Sequence, residues 1–189
     1  NFFKPVFILG PGNCGYNLFS SLLDDHDELL IMPFTFSFYS KAPLILKDEK
    51  NIKNIKNYIL RKTKFTIYKS GYHKLENPFR DDNNIFQDLS KFNLQIFEKN
   101  FEKFFDLNLI NRKNILIATY ISYAIAIGKD LKKIKFFFID SMYNDNTEEI
   151  INDFQDAKFI YLMRDPRETF LSQSHYFFNK MHSMTSIRN

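Results

Sequence analysis

The sequence has a single cysteine, no tryptophan and no long apolar run, and each shortage narrows what the chain can be. Cys14 alone cannot build an internal disulfide framework or a zinc knuckle, and a solitary thiol fits a reducing compartment, so a cytoplasmic setting is expected. The four histidines, His26, His73, His175 and His182, include no pair at i, i+4 and no neighbouring cysteine, so no metal site is expected. No stretch approaches the roughly 18–20 uninterrupted apolar residues that span a bilayer, and no basic start with an apolar core marks a signal peptide; no membrane partner is expected. Asn1 stands where an initiator methionine would, and strand-like sequence follows almost at once. The expectation is therefore a single domain over residues 1–189, truncated at one or both ends.

What is present is ordinary globular material. A hydrophobic content of 44% with 25% charged residues excludes disorder, a collagen-like repeat and a membrane bundle, and 189 residues suffice for one sizeable core. The aromatics are phenylalanine and tyrosine among abundant lysine, asparagine and isoleucine, a pattern of coding bias rather than of function. A net charge of +4 fits an anionic ligand. The lysines are scattered, however, and neither a basic stripe nor an RNA-binding aromatic motif is visible, so no nucleic-acid partner is expected.

The chain begins and ends in α/β pattern. Val6–Leu9 is a continuous apolar run between Pro5 and Gly10, as in a parallel strand buried on both faces. A loop, Gly10–Gly15, leads into a helix with Leu18, Phe19, Leu22 and Leu23 on its expected apolar face. Leu29–Met32 is a second strand. The middle is helical: Ile52, Ile55 and Ile59, then Leu89, Phe92, Ile96 and Phe97, place amphipathic helices over Asp48–Arg61 and Ile85–Phe105, with a loop at Lys69–Asn84 between them. Asn114–Ile127 reads as a buried helix stopped by Gly128. Phe136–Ile139 and Phe159–Met163 read as buried strands, and Asn146 with Glu149 as a capping box. Asp165, Pro166 and Glu168 start a final helix expected to reach about Phe178.

Open α/β sheets bind ligands where strand ends lead into helices, and two such ends stand out. The first, Gly10 to Asn17, has the G-x-x-x-x-G spacing of a phosphate loop. Tyr16 and Asn17 replace the lysine and hydroxyl residue that would reach terminal phosphates and hold Mg²⁺, which argues against ATP hydrolysis; a plain strand-to-helix turn is the other reading. The second end carries Arg164 just before a helix start, with Ser172 two turns in. Arg164 either clamps a phosphate or pairs with Asp165 or Glu168 on the surface.

Both ends resemble those of sulfotransferases that use 3′-phosphoadenosine 5′-phosphosulfate (PAPS). Phe7 through Gly15, followed by Leu18-Phe19-Ser20-Ser21-Leu22-Leu23-Asp24-Asp25-His26, is similar to that family's 5′-phosphosulfate loop and its "LLDxHPE"-type continuation. Phe154 through Glu168 resembles the family's "FPDAKFIxLxRDPRD" segment, and the likeness extends to Ser172 and to Ser174-His175-Tyr176. The resemblance covers roughly Lys4–Phe38 and Phe136–Phe178. It implies a three-layer P-loop-like α/β fold with a central parallel sheet and a helical insertion over the acceptor cleft. It also implies transfer of a sulfuryl group from PAPS to a hydroxyl or amine of a small-molecule, glycan or peptide acceptor, without a metal. Gly12, Asn13, Cys14, Gly15, Tyr16 and Asn17 would line the 5′ site; Arg164 and Ser172 match the residues that grip the 3′-phosphate.

The chain departs from the family at the chemistry. Asn13 stands at the basic position of the loop, no carboxylate occurs in Met32-Pro33-Phe34-Thr35-Phe36 where many members carry a glutamate base, and Asp140-Ser141-Met142 replaces a "KTP"-like stretch. The catalytic residues are therefore unassigned, with Lys41 and His175 as the remaining groups that could compensate, and the alternative is a nucleotide-binding protein of this fold with impaired catalysis.

Overall fold

The computed structural model describes residues 2–12, 14–23, 26–32, 38, 39, 42, 46, 51–63, 92–141, 146–172 and 174. Their order is β1 (Pro5–Leu9), α1 (Tyr16–Leu23), β2 (Leu29–Ile31), α2 (Ile52–Thr63), α3 (Leu94–Phe104), α4 (Arg112–Ala126), β3 (Phe136–Asp140), α5 (Thr147–Asp153) and β4 (Lys158–Tyr161), then a short helix α6 over residues 166–172. The unit is mixed α/β with a four-stranded, all-parallel sheet in the order β2-β3-β1-β4.

β1 sits inside this sheet because Pro5–Leu9 is buried along its whole length, as its apolar run predicts. Side chains alternate between two apolar clusters. Val6, Ile8, Ile31 and Phe138 face α1 and pack with its Tyr16. Phe7, Leu30, Phe137 and Ile139 face the other way, against Ile115, Leu116, Tyr120 and Tyr123 of α4, Ile150 of α5, and α3 behind them. The sequence between β2 and β3 thus supplies α2, α3 and α4 of the larger cluster, to which α5 adds Ile150.

One feature recurs at the helix starts: asparagine caps. Asn93 accepts from the Ile96 N–H at 3.0 Å and Asn111 from the Asn114 N–H at 2.8 Å. Asn51 accepts from the Lys53 N–H at 2.9 Å. Each supplies a side-chain oxygen to an otherwise orphaned donor. Hence α2 begins at Ile52 and α3 at Leu94, directly after their asparagines, and Asn114 lies inside α4; the expected starts at Asp48 and Ile85 lie outside the described residues. The sequence positions Leu89 and Lys69–Asn84 lie outside the described residues. α3 and α4 form an antiparallel hairpin, closed at its far end by Asn93 N–H donating to the Ala126 carbonyl at 2.9 Å. α4 stops as expected at Gly128, whose φ of 76° lets Lys129 N–H reach Ala124 O and Gly128 N–H reach Ile125 O, a Schellman ending.

Three further expectations are corrected. α1 buries Tyr16, Phe19, Ser20 and Leu23, whereas Leu18 and Leu22 are exposed; the buried stripe at i, i+3, i+4, i+7 includes a tyrosine and a serine that simple hydrophobicity passes over. Asn146 precedes α5 without capping it through its side chain, so the capping box is absent. β4 is not a buried strand: Phe159 and Tyr161 are exposed and Met163 lies beyond its end, because among the described residues β4 pairs with β1 alone.

A half-buried cluster ties the helical layer together. Arg112 at the start of α4 donates to both oxygens of Asp153 at the end of α5, at 2.6 and 3.2 Å, while the Tyr39 hydroxyl donates to the same carboxylate at 2.9 Å. Burial raises the Tyr39 phenol well above its ordinary value, and the Asp153 charge adds to this. Burial likewise raises Tyr16 and Tyr120. These folded-state pKa values exceed the unfolded value of 10.0, so the stability they carry is complete below about pH 10. It is lost as the pH climbs further, because only the unfolded chain then releases its phenolic protons. Urea titrations are expected to give a lower midpoint at pH 11 than at pH 8, and a smaller drop for Tyr120→Phe than for the parent; equal drops would remove Tyr120 as a cause.

Candidate functional site

The connection after β1 crosses β3 to reach β2, and the connection after β3 crosses β1 to reach β4. Connections from these two neighbours therefore run in opposite directions, which makes the carboxyl ends of β1 and β3 the topological switch point of the sheet and the expected place for a ligand. The glycine loop leaves from there.

The strand ends hold the root of the loop on both sides. Ser141 N–H, just past β3, donates to Ile8 O at 2.9 Å, and Leu162 N–H, just past β4, donates to Leu9 O at 2.8 Å. Gly10 follows immediately. A Cβ built there would stand 2.7 Å from the Leu162 carbonyl oxygen and 2.9 Å from the Cys14 sulfur, so glycine is required by close approach. Pro11 O accepts from Cys14 N–H at 3.3 Å, turning the chain back, and Gly15, at φ 100°, hands over to α1 with its carbonyl accepting the Phe19 N–H at 3.0 Å. The first-turn N–H groups of Asn17 and Leu18 have no acceptor within α1 and are the donors this helix start could offer an anion, that of Tyr16 being directed at the Cys14 sulfur.

Cys14 and Tyr16 are both buried. Burial pushes the Cys14 thiol up, the Tyr16 N–H and its own N–H directed at the sulfur oppose this, and the nearby Asp140 charge pushes it further up. Burial is also the main cause of the raised Tyr16 phenol, with Asp140 second. The Tyr16 ring thus anchors α1 in the smaller cluster, while its backbone N–H is directed at the Cys14 sulfur. Gly12 and Gly15 complete the described part of the loop. Asn13, the side chain of Asn17, Thr35, Lys41 and His175 lie outside the described residues.

Arg164 follows β4 two residues beyond Leu162, next to the loop root. Its side chain is 42% exposed and its Nη2 stands 3.3 Å from a Glu168 carboxylate oxygen. That is the surface pairing weighed against a phosphate clamp, and its exposure leaves the guanidinium within reach of solvent and of a ligand. Asp165 starts α6 as expected, accepting the Arg167 N–H at 2.9 Å, and its side chain pairs with Arg167. That pairing holds the Asp165 carboxyl below its ordinary value. Glu168 turns to Arg164 rather than back to the cap, and Ser172 is half-buried on α6.

The residue that sequence reading passed over is Asp140. It closes β3 in register with Ile8 and is only 3% exposed, on the loop side of the sheet. Two cavities of about 300 and 360 Å³ lie elsewhere, at the opposite strand ends around Pro5 and Asp156, and neither touches the loop.

No protein-family model, no curated protein and no solved structure matches the chain.

The two loop glycines are expected to differ under substitution. Gly10→Ala drives a Cβ into the Leu162 carbonyl and should destabilise by roughly 2–4 kcal/mol, whereas Gly15→Ala meets open space and should cost about 1 kcal/mol for its positive φ. Chemical denaturation of both variants measures the difference; equal costs would show that the root of the loop yields.

Proposed function

We propose that the chain is a PAPS-dependent sulfotransferase domain, of three-layer P-loop-like architecture, whose glycine loop holds the 5′-phosphosulfate and whose Arg164 and Ser172 hold the 3′-phosphate. The observation that carries this reading is the juxtaposition at neighbouring strand ends of the glycine loop after β1 and Arg164 after β4, joined through the Leu162 to Leu9 hydrogen bond. A ligand with phosphates on two separate ribose positions fits two such anchors better than a linear triphosphate does, and the loop lacks the lysine a triphosphate needs. Sulfuryl transfer is an in-line displacement in which backbone amides hold the departing phosphate without a metal. The acceptor would be a hydroxyl or amine of a small molecule, glycan or peptide, and the setting cytoplasmic. Among the described residues no helix is long and apolar enough to cross a membrane.

The second reading, a nucleotide-binding protein of this fold with impaired catalysis, is favoured by Asn13 at the loop's basic position and by the buried Asp140 where a lysine-containing stretch is expected.

Adenosine 3′,5′-bisphosphate should stabilise the protein in thermal unfolding by about 2.7 kcal/mol at a hundredfold excess over its Kd, and Mg-ATP by much less. Arg164→Ala should weaken that binding by roughly 1.5–3 kcal/mol in a calorimetric titration, since it loses a charge-assisted contact. Equal stabilisation by Mg-ATP would overturn the donor, and equal affinities would overturn Arg164 as its ligand.

Asn13 offers a neutral donor where charge grows on the oxygen leaving sulfur, and only interactions stronger in the transition state accelerate transfer. Asn13→Arg is expected to raise bisphosphate release from PAPS, over a panel of hydroxyl acceptors, by on the order of 10²-fold. A parent that already turns over at ordinary enzyme rates, with no gain in the variant, would put the catalytic cation elsewhere.

A further inference from the structure

Resting on the reading of the glycine loop as an anion site, we propose that Asp140 is its charge-selecting residue: its fixed carboxylate makes the loop discriminate against a doubly charged 5′-phosphate in favour of a singly charged, esterified one.

Asp140 has the placement this requires. It is the last residue of β3, paired in register with Ile8, two residues before Gly10 opens the loop. Along β3 it shares its side with Phe136 and Phe138, and Phe138 packs against Ile8 and Tyr16 on the α1 side of the sheet. The side chain therefore lies between the end of the central strand and the first turn of the helix whose amides face the ligand. At 3% exposure it is shielded from water, where a charge acts over several ångströms with little damping. The titratable groups on which its charge acts among the described residues are Cys14 from the loop, Tyr16 from α1 and, from the other side of the sheet, Tyr120 of α4. All three have raised pKa values to which its negative charge contributes after burial.

Replacing an ionised Asp140 with asparagine removes one negative charge at a fixed position, and by superposition the potential at the loop rises by that amount. The gain to a ligand scales with the charge placed at the loop. At pH 8 a 5′-phosphomonoester carries about two negative charges. A 5′-phosphodiester and each group of a phosphosulfate carry one. The carboxylate thus weakens a bare 5′-phosphate more than it weakens an esterified one.

The experiment titrates adenosine 3′,5′-bisphosphate and its 5′-methyl ester into the parent, Asp140→Asn and Asp140→Ser, at pH 8 and fixed ionic strength with EDTA present. Circular dichroism selects the variants that remain folded, serine serving should asparagine disturb the strand end. Removing the carboxylate is expected to tighten the bisphosphate by about fivefold more than the methyl ester, the scale of a screened interaction between two unit charges. As a second readout, the pH midpoint for alkylation of the sole cysteine should fall in Asp140→Asn. Equal gains for the two ligands, or none, with binding intact, would overturn charge selection while leaving the nucleotide reading standing. Failure of every protein to bind either ligand would overturn that reading, and this inference with it. Binding by the parent that appears only when Mg²⁺ replaces EDTA, and is lost in Asp140→Asn, would make Asp140 a cation ligand and overturn the proposal.

Discussion

The structure depends on β1 being satisfied on both edges and both faces at once. Its five residues are buried throughout, so every backbone donor and acceptor must find a partner in β3 or β4, and every side chain must enter one of two apolar clusters. A strand so enclosed leaves little freedom at its end. The chain can only emerge between Ser141 and Leu162, and it does so at a residue where no side chain fits. The position of the glycine loop is thus a consequence of core packing.

Electrostatics at this strand end oppose one another. The first turn of α1 presents unpaired N–H groups and the positive end of a helix dipole. Beneath it lie a buried carboxylate, a buried thiol and two buried phenols, each acidic group made weaker by its surroundings or adding negative charge to them. Arg164 lies to one side, sharing its charge with Glu168. Helix-end donors, buried acidic groups and an exposed guanidinium thus sit around one strand end.

Much of this was legible in the sequence because the signals are local. Apolar runs closed by glycine or proline mark β1 and β2, and the Phe136–Ile139 run marks β3; the Gly10–Gly15 spacing marks the loop, Asp165-Pro166 the start of α6 and Gly128 the end of α4. The failures share a cause as well. A continuous apolar run is the same in an interior and an edge strand, so the exposure of β4 depends on which neighbour is present, which no window of sequence records. The buried face of α1 was misassigned because leucine outweighs tyrosine and serine in any count, although Tyr16, Phe19, Ser20 and Leu23 keep the better helical spacing. Asparagine read as compositional bias turned out to cap α3 and α4. Asp140 was read only as a missing family motif, when an acidic residue terminating an apolar strand beside a glycine loop was itself the signal.

The enclosure of β1 also has a temporal side. Its register partners in β3 lie roughly 130 residues later in the chain, and those in β4 later still. On a ribosome adding on the order of 5–20 residues per second, β1 emerges before the strands that cover its edges and waits many seconds for them. The closure of so long a loop must also precede any gain from the pairing. The helices encoded between β2 and β3 emerge during that wait, and Ile55, Phe97, Ile115 and Tyr123 from them join Phe7 in the larger cluster. The long helical segment inside the sheet's sequence is thus placed to act as an internal chaperone for the strand on which the candidate site is built.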